Sequence, residues 1–148
     1  NHNDCVVGLS ASGEAAYVIA ALKYARETGC VTVAVTSVKD SLICTGADVS
    51  VTPDTGAEVV TGSTRLKAGT AQKLILNMLS TSVMIKLGYV CENMMINLKP
   101  SNLKLRRRCV DITSAICGCD AAVAELFLRK TDWDIRAAVT EYKKEKSR

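Results

Sequence analysis

The chain has 148 residues, 48% of them apolar, and a net charge of +4 at pH 7. That length fits one ordinary domain, or a small domain with an appendage, and the apolar share excludes a disordered chain. Much of the positive charge sits in Arg106-Arg107-Arg108 and in Lys143, Lys144, Lys146 and Arg148. The five aromatics besides Trp133 are scattered, so no basic, aromatic-lined surface for nucleic acid is expected. No apolar run approaches the roughly 20 residues of a membrane helix, and no basic-apolar-small segment opens the chain as a signal peptide would. Strand-like residues begin at Cys5 with no initiator Met, as in a processed chain or an excerpt of a longer one.

In chain order, Cys5-Val6-Val7-Gly8-Leu9 is a short apolar run ending in a Ser/Gly loop, the pattern of a buried strand. The residues from Glu14 to Thr28 carry Ala15, Val18, Ile19, Ala21, Leu22 and Ala25 at helical spacing, with Gly29 as the stop. The β-branched run from Val31 to Thr36 predicts a second strand, and Asp48 to Val51, closed by Pro53, a third. Strand, helix, strand over about thirty residues is a βαβ unit, which implies a parallel sheet covered on both faces. Gly56 to Gly62 reads as loop. The stretch from Leu66 to Leu87 predicts a long helix whose wide stripe of Leu74, Ile75, Met78, Leu79, Met84, Ile85 and Leu87 is expected to be buried in the domain or at a subunit contact. From about Ser101 the pattern is helical only. Helices are expected over Asn102 to Cys117, over Ala121 to Lys130 capped by Asp120, and over Trp133 to Lys144 opened by a Thr131/Asp134 capping box. They would pack around Leu126, Phe127, Trp133, Ile135 and Val139. The fold class is therefore α/β, a partial parallel sheet flanked by helices over residues 1–100, followed by a three-helix bundle over 101–148.

Seven cysteines, at 5, 30, 44, 91, 109, 117 and 119, are scattered through apolar stretches and read as buried thiols of a reducing cytosol. Cys117-Gly118-Cys119 is the one close pair. A zinc site usually takes a second such pair or histidines, and His2 is the only histidine, so no metal or other cofactor is expected.

Two segments carry the candidate chemistry. Ser10-Ala11-Ser12-Gly13 lies between a strand and a helix, where free N–H groups and the helix dipole favour an anion and two hydroxyls add donors. An ordinary N-cap turn made by Ser12 is the other reading. The loop is neither a Walker loop nor the dinucleotide fingerprint. The second segment, Gly56-Ala57-Glu58-Val59-Val60-Thr61-Gly62-Ser63-Thr64-Arg65-Leu66-Lys67, is dense in hydroxyls and would face the same crevice at the carboxyl edge of the sheet. Glu58 is placed to bond sugar hydroxyls or move protons, or is a plain surface carboxylate. Ser63 or Thr64 is placed to cap the long helix. Arg106-Arg107-Arg108 reads as a solvated helix face and Trp133 as core.

Asp4-Cys5-Val6-Val7-Gly8-Leu9-Ser10-Ala11-Ser12-Gly13-Glu14 resembles the phosphosugar loop of sugar isomerase (SIS) domains. The run from Gly56 to Lys73 resembles the signature of the N-acetylmuramic acid 6-phosphate etherases. Leu76-Asn77-Met78-Leu79-Ser80-Thr81, Asn93-Met94-Met95-Ile96-Asn97-Leu98 and Ser101-Asn102-Leu103-Lys104-Leu105 continue that pattern, and the terminal helices resemble a ubiquitin-associated (UBA-like) three-helix fold. The resemblance implies a cytoplasmic, dimeric, metal-independent lyase that cleaves the lactyl ether of its phosphorylated amino sugar by elimination and water addition, giving N-acetylglucosamine 6-phosphate and D-lactate. It implies that Ser10, Ala11, Ser12 and Gly13 hold the phosphate and that Glu58, Thr61 and Ser63 line the sugar site. Ala15 stands where such loops commonly have threonine, and Glu14 where the etherases usually have arginine. The resemblance also places this chain as the C-terminal half of a protein about twice as long, whose other half brings the catalytic glutamates. On that reading the chain alone is inactive, with Glu58 the one candidate for proton transfer. The alternative is a non-catalytic sensor, like related SIS proteins that bind sugar phosphates without turning them over.

Overall fold

The computed structural model describes residues 1–147, in two compact units, Asn1–Leu79 and a second beginning at Ser80. The elements in order are β1 (Cys5–Leu9), α1 (Ala16–Glu27), β2 (Val31–Val35), α2 (Leu42–Thr45), β3 (Val49–Val51), α3 (Lys67–Lys86), β4 (Val90–Cys91), β5 (Met94–Met95), α4 (Leu103–Cys117), α5 (Ala121–Lys130) and α6 (Ile135–Lys146). Three parallel strands in the order β1-β2-β3 form the sheet of the first unit, with helices packed on it, and a cluster of three helices follows in the second.

The register pairs Cys5 with Val31, Val7 with Val33 and Leu9 with Val35, then Val33 with Val49 and Val35 with Val51. Side chains alternate across a strand, so all the odd-numbered strand residues share one face, and every one of them is apolar. The other face carries Val6, Gly8, Thr32 and Ala34 and receives α1 and α2, where Val18, Leu22, Ala34 and Ile43 form the buried core. Gly8 makes that contact possible. A Cβ there would lie 2.8 Å from Val18 Cγ1 and 2.9 Å from Leu22 Cδ1, so α1 sits closer to β1 than any side chain allows. β2 and β3 are latched where they begin. The Asp48 carboxylate accepts from Thr32 N–H at 2.8 Å and from Thr32 Oγ1 at 2.7 Å, and these bonds hold its pKa below the ordinary value.

The long helix forms as expected, but of its twenty residues only Ala68 is buried, so of the two expected placements of its stripe, within the domain or at a subunit contact, the first is not what the described residues provide. At 100° per residue, Leu74, Met78 and Ile85 line one stripe and Leu76, Leu79 and Val83 the opposite one, and all six are exposed. A helix apolar on two sides needs a cover on each.

In the second unit, β4 and β5 form a two-residue antiparallel ladder, Val90 with Met95 and Cys91 with Met94. Cys109, Ile112, Phe127, Leu128, Ile135 and Ala138 make the core of the helical cluster, with Trp133, Val139 and Tyr142 packed on it; Leu126, expected there, is exposed. Phe127 and Tyr142 meet edge to face at 5.4 Å between ring centroids. Asn102 caps α4 by accepting from Leu105 N–H at 2.9 Å. The third helix starts at Ile135, two residues later than the sequence pattern suggests. Asp132 and Trp133 both adopt positive φ, and Trp133 N–H donates back to the Leu128 carbonyl at 2.7 Å, so these residues finish the exit of α5. The expected capping box is not formed. Asp134 alone caps α6 through Ala137 N–H, at 2.9 Å, while Thr131 Oγ1 donates to the Phe127 carbonyl. Asp120 is the N-cap residue of α5 without a side-chain bond.

Candidate functional site

The serine loop leaves the carboxyl end of β1, and its first residue extends the ladder: Ser10 N–H donates to the Val35 carbonyl at 3.0 Å. Ser10 is 7% exposed, and its Oγ accepts from Gly13 N–H at 3.1 Å and from Ala15 N–H at 3.4 Å. It therefore shapes the loop from within. Ser12 is exposed and accepts only from Glu14 N–H, at 3.4 Å. The N-cap of α1 is Ala15, with no side-chain cap bond, so the ordinary turn capped by Ser12 is not what forms. Gly13 stands at φ +72°, a conformation that favours glycine. Its carbonyl accepts from Ile43 N–H at 3.0 Å, which fastens the loop to α2.

Among the described residues, the N–H groups of Ala11 and Ser12 in the loop, and of Ala16 and Tyr17 in the first turn of α1, have no hydrogen-bond partner. Unpaired donors at a helix N-terminus, carrying the positive end of its dipole, are an anion site in general form. Three hydroxyls from the far side of β2 join the two predicted serines. Thr36 Oγ1 donates to the Ala11 carbonyl at 3.3 Å, Ser37 N–H donates to the same oxygen at 3.1 Å, and the Ser41 side chain lies against Gly13. The Ser37 hydroxyl is buried without a partner. Thr36, Ser37 and Ser41 escape a motif reading, because each is unremarkable in its own segment. The available signal is positional: polar residues that follow a buried strand parallel to the one feeding the loop.

The second predicted segment is held by its own glutamate. Glu58 accepts from Lys67 N–H at 3.0 and 3.1 Å and from Ala68 N–H at 3.1 Å, and Lys67 Nζ donates to the Ala57 carbonyl at 2.7 Å. Glu58, rather than Ser63 or Thr64, thus satisfies the first N–H groups of α3. The Lys67 and Ala68 N–H groups hold its carboxyl below the ordinary value of 4.5, with the Lys67 charge adding to the effect. Thr61 is exposed and Ser63 half-buried. Both segments belong to the first unit, and among the described residues no hydrogen bond joins residues 56–67 to the serine loop.

The second unit contains a cleft of about 650 Å³ between the 96–101 segment and the turn at Thr131–Asp134, with Arg106 stacked over Trp133 at 5.1 Å. None of the predicted site residues lines it. Among the described residues no three His, Cys, Asp or Glu side chains gather as a metal site, and no helix is long and apolar enough to cross a membrane.

The model of the SIS domain matches residues 1–82, and that of a UBA-like domain matches residues 114–142. An N-acetylmuramic acid 6-phosphate etherase of Pseudothermotoga lettingae is 47% identical over 139 residues, covering 94% of this chain and 46% of the relative. The proteins of that name from Yersinia pestis and Yersinia pseudotuberculosis are each 51% identical over 136 residues, 92% of this chain and 46% of theirs. The chain thus spans about half the length of the curated relatives it matches.

Proposed function

We propose, from the premise that this chain belongs to the SIS domain family, that it binds a phosphorylated amino sugar at the carboxyl ends of β1 and β2. The observation that carries this reading is the serine loop, where the N–H groups of Ala11, Ser12, Ala16 and Tyr17 have no partner among the described residues and the Ser12 hydroxyl is exposed. A phosphate dianion supplies the acceptors such a nest requires. Ser10, Ala11, Ser12 and Gly13 hold the phosphate, Ser10 mainly by setting the curve of the loop. Glu58, Thr61 and Ser63 line the sugar, with Glu58 as an ionised acceptor.

The etherase relatives support a narrower reading. The complete protein is a carbon–oxygen lyase that releases D-lactate from N-acetylmuramic acid 6-phosphate, works in the cytoplasm as a homodimer, and divides into a phosphosugar domain through residue 100 and a helical bundle beyond it. Elimination needs an acid and a base poised near the working pH. Glu58 is poorly suited to either part, since three N–H contacts hold it ionised. This chain alone therefore binds without turning over.

A non-catalytic sensor is the second reading. It is favoured by the exposed Glu14 carboxylate beside the loop and by Ala15, which brings a methyl to the helix entry.

The test is isothermal calorimetry of the purified chain with N-acetylmuramic acid 6-phosphate, run beside an assay for D-lactate. Saturable binding that Ser12→Ala together with Gly13→Ala abolishes, with no lactate above the enzyme-free rate, is the expected result. Absence of binding by the folded chain refutes the site. Lactate release lost in Glu58→Gln restores Glu58 as a catalyst.

A further inference from the structure

The sequence singles out Cys117-Gly118-Cys119 as its one close pair of thiols, and the phosphosugar reading leaves that pair without a role. Both cysteines are half-buried and open to small reagents, whereas Cys109 on the same helix is fully buried. The pair turns the corner from α4 to α5. Cys117 is the last residue of α4, Gly118 is its C-cap at φ 59° and ψ 43°, and Cys119 leads into Asp120, the N-cap of α5. That left-handed conformation mirrors a helical one, and helical geometry spaces Cα atoms two residues apart by about 5.4 Å. A disulfide spans about 4.4–6.8 Å between Cα atoms. Ser114 holds the corner in place: its carbonyl accepts from Cys119 N–H at 3.2 Å, and its hydroxyl donates to the Cys119 carbonyl. The two thiols also meet. Burial, and after it the neighbouring Cys119 sulfur, push the Cys117 thiol up against the charges of Lys143 and Lys146. Cys30 and Cys44, by contrast, lie against hydroxyls, those of Thr28 at 3.6 Å and Ser41 at 3.7 Å.

We propose that Cys117 and Cys119 form a redox-active dithiol, a modification site that closes reversibly to a disulfide by exchange with a small disulfide such as oxidised glutathione. The Cys119 thiolate attacks one sulfur of the small disulfide, forms a mixed disulfide and releases one small thiolate, which takes up the proton that Cys119 lost. The Cys117 thiolate then attacks the Cys119 sulfur and expels the second small thiolate, which takes up the proton that Cys117 lost. Two protein thiols are oxidised to one disulfide, and one small disulfide is reduced to two thiols. Cys119 attacks first because burial keeps Cys117 protonated over a wider pH range. The corner already holds the spacing of the closed ring, so α4 and α5 keep their places. A ring through one intervening residue gains little from loop closure, so the bond stays reducible, as labile disulfides are and structural ones are not.

The experiment equilibrates the full chain with mixtures of reduced and oxidised glutathione, quenches with acid, alkylates the free thiols and reads the tryptic peptide from Cys109 to Arg129 by fragmentation mass spectrometry. The expected result is a loss of two hydrogens placed between Cys117 and Cys119, growing with the share of oxidised glutathione and reversed by excess reduced glutathione. Cys117→Ser should trap glutathione on Cys119 at about tenfold the level in the unaltered chain, because no thiol remains to expel it. Cys119→Ser should take up glutathione about tenfold more slowly than Cys117→Ser does. Mapping of the unaltered chain decides the matter even where a serine variant fails to fold. The proposal is overturned if that peptide keeps all its hydrogens at every ratio, if glutathione stays on Cys119 of the unaltered chain as the end product, or if the link runs to Cys109. Because no sugar phosphate is present, these outcomes are independent of the phosphosugar reading.

Discussion

Replacing Gly13 by alanine isolates what holds the serine loop in shape. A Cβ at that position would overlap the Ser41 hydroxyl and Cβ and would lie 2.9 Å from Thr36 Oγ1, while the backbone stays at φ +72°. The left-handed conformation costs a non-glycine residue about 1–2 kcal/mol, and overpacking at a closed site typically costs about 1–3 kcal/mol, so Gly13→Ala should destabilise the chain by about 2–5 kcal/mol. The two parts separate. Ser41→Gly removes both atoms of the worst overlap and leaves the backbone strain and the Thr36 contact. The double variant Gly13→Ala/Ser41→Gly should therefore regain about 1–3 kcal/mol relative to the sum of the single changes, a coupling that a double-mutant cycle measures directly. Urea unfolding of the four proteins at constant m-value is the assay. Strict additivity, or a Gly13→Ala loss below about 0.5 kcal/mol where a surface site is expected to fall, would refute the packing of α2 against the loop.

Gly8→Val forces its methyls into Val18 and Leu22, and should cost about 1–3 kcal/mol in urea unfolding, partly recovered by Val18→Ala in the same chain. Phe127→Ala should cost about 3–5 kcal/mol in the helical cluster, and amide exchange should show the loss there while β2 keeps its protection. Glu58 has a folded pKa below its ordinary value of 4.5, so its contribution to stability is present above about that pH and is lost as the pH falls through the lowered value. Glu58→Gln should accordingly flatten the acid limb of a stability–pH profile. Asp48, shifted in the same direction, supplies the slope that remains. An unchanged limb in Glu58→Gln would mean that the contacts to Lys67 and Ala68 do not persist in solution.

The three strands of the parallel sheet, the long helix and the three terminal helices are legible in the sequence because each is local, whereas the two-residue strands β4 and β5 are too short to show a pattern. Periodicity, β-branching and stop residues decide them with no reference to the rest of the chain. The serine loop is legible for the same reason. What escapes is set by tertiary contact. α2 is four residues long, too short to show a period, and exists because Ile43 is buried and its N–H meets Gly13. The start of α6 shifts because Trp133 bonds back to Leu128, a choice that the strings Thr131-Asp132-Trp133-Asp134 and Ser/Thr-x-x-Asp do not distinguish. Thr36, Ser37 and Ser41 join the site only through the parallel register that sets the end of β2 beside the end of β1. The burial expected of α3 followed from its wide apolar stripe, and a stripe does not say whether the covering atoms belong to the same domain or to a subunit contact.

The two ends of the sheet differ in how tightly they are held. At the carboxyl end Val35, Thr36 and Ser10 are buried, and the Ala11 and Gly13 carbonyls accept from the N–H groups of Ser37 and of Ile43 in α2. At the amino end Cys5, Val31 and Val49 are exposed. If the serine loop binds phosphate as proposed, these ties to its own neighbours pre-organise it, and calorimetry on the isolated chain should show the affinity. Glu58 spends its acceptor capacity on the first turn of α3, which holds it ionised. If the chain binds the sugar phosphate and releases no lactate, and Glu58→Gln leaves that binding in place while flattening the acid limb, then affinity resides in the serine loop and Glu58 serves the start of α3 rather than the chemistry.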